Sequence, residues 1–376
     1  MKQRMFLLLG VLCSFVYYSC TKEVKESTEV PAGEIATSRP TGNPSTFFDP
    51  AGLISASQHG VLDTIQKGFR FTEGPAVDKA GNVFFTDQPD DKIYRWDAST
   101  NAITTFLTGT GRANGMAFDK NGDLIACADM HGELWKIHPD GSHEVLVNNY
   151  GGKLLNGPND VWVNPATGGI YITDPMFPRG YWDNTDPRKI GNAPGWPPIY
   201  SEQGSGVAGH VYYLAPGSST LVRVTTMAGW NPQSTLPNGL AGSPDGKKLY
   251  VNKWAGGTTA GAVGFPGGLW VFDINPDGSL SNMRTFVSNL AGCDGMSMDD
   301  QGNVYLSSGA GVTGFDPNGN RILTIPTGGG ATNNVFAGKN NKQLIITGGG
   351  LSSPPFPNNQ DRLTTVKMNV KGVEKF

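Results

Sequence analysis

The sequence predicts an all-β chain, a six-bladed β-propeller with four-stranded antiparallel blades around a central channel. Two observations carry this. The first is a stretch that recurs six times: FTEGPAVDKAGNVFFTD, ANGMAFDKNGDLIACAD, PNDVWVNPATGGIYITD, PNGLAGSPDGKKLYVNK, CDGMSMDDQGNVYLSSG and TNNVFAGKNNKQLIITG. Each copy is a polar leading residue, a small residue or Gly, a short apolar run, a Gly/Asn/Asp turn and a second apolar run. A strand–turn–strand unit returning about every 40 residues marks a propeller. The second observation is composition. Gly is abundant (52), Pro less so (26), and only 16% of residues are charged, which suits many short strands joined by tight turns.

The leading residues are Glu73, Asn114, Asn159, Asn238, Asp294 and Asn333. All carry side-chain oxygen and none is apolar. Length alone, 376 residues, allows two or three domains. The repeat argues for a single large one, because a propeller buries its core between blades. A formal net charge of −3 with no basic cluster gives nucleic-acid binding no electrostatic support.

Residues 1–20 read as a signal segment, with Lys2 and Arg4 ahead of the apolar Met5–Val16. The segment ends YYSC, which resembles a lipoprotein signal with Cys20 as the lipidated residue; Tyr17 departs from the usual aliphatic. An ordinary secretory leader is the alternative. Both place the mature protein outside the cytoplasm, in the periplasm or as an outer-membrane or cell-surface lipoprotein whose only membrane contact is that lipid anchor. Residues 21–57, rich in Ser, Thr, Pro, Gly and Glu, read as a flexible tether, and 58–376 as the propeller. VLDTI, from Val61, is the strand expected to close the ring against the last blade.

The outer strands follow as alternating runs such as KIYRWD, AITTFL, ELWKIH and HEVLVN. Blade 3 is interrupted by an aromatic-rich insertion, Met176–Gly209, and blade 4 by a Gly-rich one, Ala255–Gly268. Cys127 and Cys293 lie in different blades and read as buried thiols with no disulfide; no CxxC spacing suggests zinc or redox chemistry.

Successive strands run antiparallel, so the start of each first strand and the end of each second strand share one face. The leading residues ring the axis on that face, and both insertions follow second strands. The other face has only short turns. Function belongs on the elaborated face.

Glu73 and Asp294 aim two carboxylates into one channel, where they repel unless a cation lies between them. Carboxylate plus amide oxygen is a hard donor set. The channel therefore reads as metal-binding, with Glu73, Asn159, Asn238 and Asp294 holding one divalent cation: Ca²⁺ first, with Mg²⁺, Mn²⁺ or Zn²⁺ as alternatives. Asn114 and Asn333 also fit plain strand-end turns. His131 and Trp254 follow second strands and are candidates to contact substrate. Asp174, in TDP, reads as orienting a loop.

These residues carry a resemblance. EGPAVD, GKLLNGPNDVWVNPATGGIYITDP, LPNGL and CDGM are similar to the senescence marker protein/gluconolactonase/regucalcin family, over about residues 60–376. The resemblance implies a six-bladed propeller that hydrolyses sugar lactones with one axial metal held by Glu73, Asn159, Asn238 and Asp294. It also implies that Asp294 moves the proton. Asn114 and Asn159 would then orient substrate. Animal members carry an Arg where this chain has Gly157, so their sugar-recognition scheme does not transfer.

The expected activity is lactone opening through a polarised carbonyl and an activated water. Two other readings remain open at this stage. One is a non-catalytic sugar- or peptide-binding propeller with a structural cation. The other is an esterase or phosphotriesterase on the same scaffold. No GxSxG motif supports a serine hydrolase.

Overall fold

The computed structural model describes residues 46–58, 61–175, 177, 209–230, 236–254, 267–290, 292–350 and 359–373. The expected leader, most of the tether and most of both insertions lie outside the described residues. No α-helix occurs among them; a single 3-10 turn spans Gln88–Asp90.

Six four-stranded antiparallel sheets form the predicted blades. After β1 (Asp63–Phe69), blade 1 comprises β2 (Thr72–Val77), β3 (Val83–Asp87), β4 (Lys92–Trp96) and β5 (Ile103–Thr108). Blade 2 comprises β6 (Ala113–Phe118), β7 (Leu124–Ala128), β8 (Glu133–Ile137) and β9 (His143–Val147), followed by a small hairpin, β10 (Asn149–Tyr150) and β11 (Lys153–Leu154). Blade 3 is β12 (Val161–Val163), β13 (Ile170–Asp174), β14 (His210–Leu214) and β15 (Leu221–Arg223). Blade 4 is β16 (Pro237–Gly242), β17 (Lys248–Lys253), β18 (Gly267–Ile274) and β19 (Leu280–Leu290). Blade 5 is β20 (Met296–Met298), β21 (Val304–Ser308), β22 (Gly311–Phe315) and β23 (Arg321–Pro326). Blade 6 is β24 (Asn334–Ala337), β25 (Gln343–Gly348) and β26 (Asp361–Lys367).

The fourth strand of blade 6 is β1, antiparallel to β26 with Asp63 opposite Thr365. A strand from the start of the domain thus completes the last sheet, as the VLDTI run predicts. This closes the ring and leaves only short, protected sheet edges. The innermost strands touch in cyclic order, β2–β6–β12–β16–β20–β24 and back to β2.

Local chemistry sets the hairpins. The side chain of Asp78 accepts from the backbone N–H of Ala80 and Asn82, both at 2.9 Å. Asp119 and Asp299 close the equivalent turns in blades 2 and 5 in the same way. These are Asx turns, which a short acidic side chain stabilises in place of a backbone partner.

Period-2 alternation then sends apolar side chains to both faces of every blade. Phe85 and Val83 pack toward blade 6 with Val335 and Ile345; Phe84, between them, packs toward blade 2 with Met116 and Leu124. One apolar cluster fills each inter-blade gap. The core is therefore a ring of interfaces and not one central mass. Phe85 is fully buried, and truncating it to Ala costs roughly 3–5 kcal/mol. Cys127 and Cys293 are buried free thiols, in the 2/3 and 4/5 clusters.

Residues 46–57, expected to belong to the tether, are docked on the propeller. Phe48 bridges to Thr324, Asp49 caps the N–H groups of Leu53 and Ile54, and Ser55 donates to Lys367. Leu53 and Ile54 are buried against blades 5 and 6. Composition suggested a free linker here, but three apolar side chains, Phe47, Leu53 and Ile54, suffice to dock it. Gly42–Phe376 group as one unit.

Candidate active site

The strand register delivers the leading residues to one face, as predicted. Thr72 pairs with Asp87, Ala113 with Ala128 and Pro237 with Lys253, so first-strand starts meet second-strand ends. In blades 1, 2 and 4 the ladder slips just there, between Glu73 and Ala76, Ala113 and Met116, and Pro237 and Leu240. Such bulges re-aim a side chain out of the sheet plane. Glu73, Asn114 and Asn238 sit in them.

Close approach of neighbouring strands explains the glycines that follow. A Cβ on Gly74, whose φ is +49°, would lie 1.9 Å from the carbonyl oxygen of Asn114 in the next blade. A Cβ on Gly239 would likewise meet the Asp294 carbonyl oxygen, one on Gly115 the Asp160 carboxylate and the Asn159 carbonyl, and one on Gly295 the Asn333 side chain. Side chains at the penultimate position of several second strands tie a blade to its neighbour. Thr86 donates to the carbonyl of Asn114 at 3.3 Å, Thr173 to that of Asn238 at 2.7 Å, and the Asn252 amide to that of Asp294. Cys127 holds that position in blade 2, and there the Gly115 N–H reaches the Asn159 carbonyl at 2.7 Å.

Two second strands end in an acid that fixes the segment feeding the site. Asp87 accepts from the backbone N–H of Arg70 and Phe71, each at 3.0 Å. Asp174 accepts from Asn156 and Gly157, each at 3.0 Å. The loop-orienting role read for Asp174 is what its carboxylate does.

The electrostatics centre on Glu73, which is 4% exposed. Burial pushes its carboxyl well above the ordinary range, and the charge of Asp294 pushes it further, as does Asp160. Its hydrogen-bond donors are neutral: the Gly74 N–H at 3.0 Å and the Asn333 amide at 3.4 Å. Asp160 is itself raised to about 7 by burial, partly offset by N–H groups of Leu240 and Val161. Asn114, Asn159 and Asn238 are buried, and their side-chain amides make no hydrogen bond among the described residues.

These features fit a hard cation. Glu73 sits among acids and neutral donors, and the buried amides that open other first strands offer further oxygen donors. Among the described residues, no three His, Cys, Asp or Glu side chains form a metal-holding group. A cation here would rest on the two carboxylates together with the amides.

A cleft of about 230 Å³ opens on this face, and Asp294 and Trp254 both line it. Trp254 packs edge-on against Phe177 with ring centroids 5.6 Å apart, over the buried Leu236. His131 is on the same face but in blade 2, where it is exposed and stacks on Trp135 at 5.8 Å; it does not line this cleft. A second cavity, about 120 Å³, enters the channel from the other face between apolar residues such as Met116, Met296 and Met298, with Asp160 and Asn333 on its lining.

Three polar residues were not singled out from sequence as site residues. Asp160 occupies the register where four other blades have Gly, and that odd acid was the available signal. Asn333, read as a strand-end turn, bonds Glu73 across the closing seam of the ring, which only the fold reveals. Lys253, half-hidden in the motif VNK, is 6% exposed with its pKa lowered by burial.

The chain is 28% identical to a gluconolactonase of Zymomonas mobilis over 313 residues, 76% of this chain and 78% of that one. A solved gluconolactonase from Xanthomonas campestris superposes with a TM-score of 0.64 at 28% identity, covering 88% of this chain and 99% of that one. A calcium-binding regucalcin of Agrobacterium tumefaciens shares the fold, with a TM-score of 0.60 at 16% identity over 84% of this chain and 96% of that one. Residues 71–350 match the family described as SMP-30/Gluconolactonase/LRE-like region, and the chain belongs to that family.

Proposed function

We propose that this protein is an exported, metal-dependent hydrolase that opens sugar lactones. One observation carries the reading: buried Glu73 lies under the charge of Asp294, which lines an open cleft, and the buried amides of Asn159 and Asn238 make no hydrogen bond among the described residues. Family membership supports lactone hydrolysis, and the exported location rests on the leader sequence.

Glu73, Asn159, Asn238 and Asp294 would hold one divalent cation, Ca²⁺ by the all-oxygen chemistry of the set. When bound, it supplies Lewis-acid polarisation of the lactone carbonyl. Asp294 takes the proton of the attacking water and returns one to the leaving alkoxide, so it must sit at hydrogen-bond reach of both. Asn114 and Asn159 orient the ring through their amides. Glu73 is held in place by Gly74 and Asn333 and does not move a proton.

The test is hydrolysis by EDTA-stripped protein with Ca²⁺, Mg²⁺, Mn²⁺ or Zn²⁺ restored singly, over lactones, aryl esters and phosphotriesters. Lactone turnover that vanishes with EDTA and returns with a cation is expected. Absence of lactone turnover with every cation refutes the reading. For export, Cys20→Ser should move the protein from the membrane fraction to the soluble one; a wild-type protein already soluble removes the lipid anchor.

A further inference from the structure

We propose that Gly309 sets the size limit of the substrate, by opening a glycine-walled subsite for the neutral, hydroxylated substituents carried by a lactone ring. This rests on the lactone-hydrolase reading and adds which residue reads the substrate's bulk.

Seven of the fourteen residues lining the cleft beside Asp294 are glycine, so one wall is bare backbone. Six of these have a structural reason. Gly292, Gly330, Gly348 and Gly349 have φ between +60° and +94°. A Cβ on Gly329 would lie 2.2 Å from the Gly349 carbonyl oxygen, and one on Gly350 would lie 2.4 Å from Gln360. Gly309 differs. Its φ is not in the left-handed region, and nothing among the described residues lies within 4 Å of where its Cβ would be. Nothing among the described residues requires glycine there, and Gly309 itself lines the cleft.

The position suits substrate recognition. Gly309 follows the second strand of blade 5 and lies against Gly292 and Gly330, which flank Asp294 and Thr332 in sequence. Phe71 and Trp254, in the same lining, provide aromatic surface. A cleft with apolar walls and a few fixed polar groups holds a small ligand. The other charged lining residues are already engaged. Arg70 pairs with Asp90 at 3.1 Å. Asp361 accepts from the Thr72 hydroxyl at 2.9 Å and the Gly350 N–H at 3.0 Å. A neutral substituent, bound through hydroxyls to backbone groups, fits this wall better than an ionic one.

The experiment compares Gly309→Ala and Gly309→Leu with wild type on δ-valerolactone, a bare ring, and on glucono-δ-lactone, the same ring with hydroxyl and hydroxymethyl substituents. Melting temperatures should be unchanged, since neither side chain meets a described neighbour. Gly309→Leu should raise KM for glucono-δ-lactone by about tenfold or more and leave δ-valerolactone within about twofold, with Gly309→Ala shifted less in the same direction. Equal effects on both lactones, or none on either, overturn the proposal. If wild type hydrolyses neither lactone, the functional reading fails. The subsite is then judged by calorimetry with the δ-lactam analogue of the hexose lactone: selective loss of binding in Gly309→Leu supports it, and equal or absent binding in both proteins overturns it.

Discussion

Replacing Glu73 by Gln should make the metal-free protein more stable and the metal-loaded protein less so. Glu73 is buried with its pKa raised by desolvation and by Asp294. Its carboxyl therefore titrates higher in the folded chain than in the unfolded one. Folding favours the protonated form, so its contribution is full below the ordinary carboxylate range and is lost as pH rises through the folded value. In chelator, wild type should lose up to about 1.4 kcal/mol per pH unit across that window, and Glu73→Gln should lack this slope. The like charge of Asp294 adds to the cost of ionising the buried Glu73. At pH 7.5 in EDTA the variant should thus gain up to about 4 kcal/mol, the cost of holding a buried carboxyl protonated about three pH units above its ordinary value. Adding Ca²⁺ reverses the order, because binding at a hundred times Kd stabilises wild type by about 2.7 kcal/mol and the variant has lost an anionic ligand. The assay is urea denaturation at several pH values, with EDTA and with Ca²⁺. A variant destabilised in EDTA, or one stabilised by Ca²⁺ as much as wild type, refutes the reasoning.

Asp294→Asn should retain low kcat even at metal concentrations that restore occupancy by calorimetry; recovery to near wild type would make Asp294 a ligand only. Burial and the charge of Arg223 lower His210 to about 4. Its neutral form is the folded one, so stability should be full above about pH 6.5 and fall by up to about 3 kcal/mol as pH drops toward 4; His210→Gln should flatten that limb, and an unchanged acid limb would show that His210 is not its source. Asp174 and His210 are direct partners in the β13–β14 ladder, so a short Gly/Ser turn replacing residues 176–208 should leave the blade folded while altering KM across lactones; loss of the cooperative melt would count against that closure.

The sequence alone determined the repeat, and with it the number of blades, the polar position that opens each one and the face that carries the insertions. Hairpin geometry makes these local facts: a turn of Asp, Gly and Asn at fixed spacing reverses the chain, and antiparallel order then puts every first-strand start on one side. It also determined that two acids and several amides share that position. What the tertiary structure decided lies between blades, where sequence distance carries no information. Asn333 reaches Glu73 only because β1 pairs with β26 and brings 260 residues of separation to 3.4 Å. Asp160, one residue after a leading Asn, becomes a charge acting on Glu73 because the first strands converge at the axis. The segment 46–58 looked like linker by composition, yet docks because blades 5 and 6 present an apolar surface that its own residues cannot reveal. Gly309 is one glycine among 52 in the sequence, and only the empty space beside it distinguishes it from those the backbone requires.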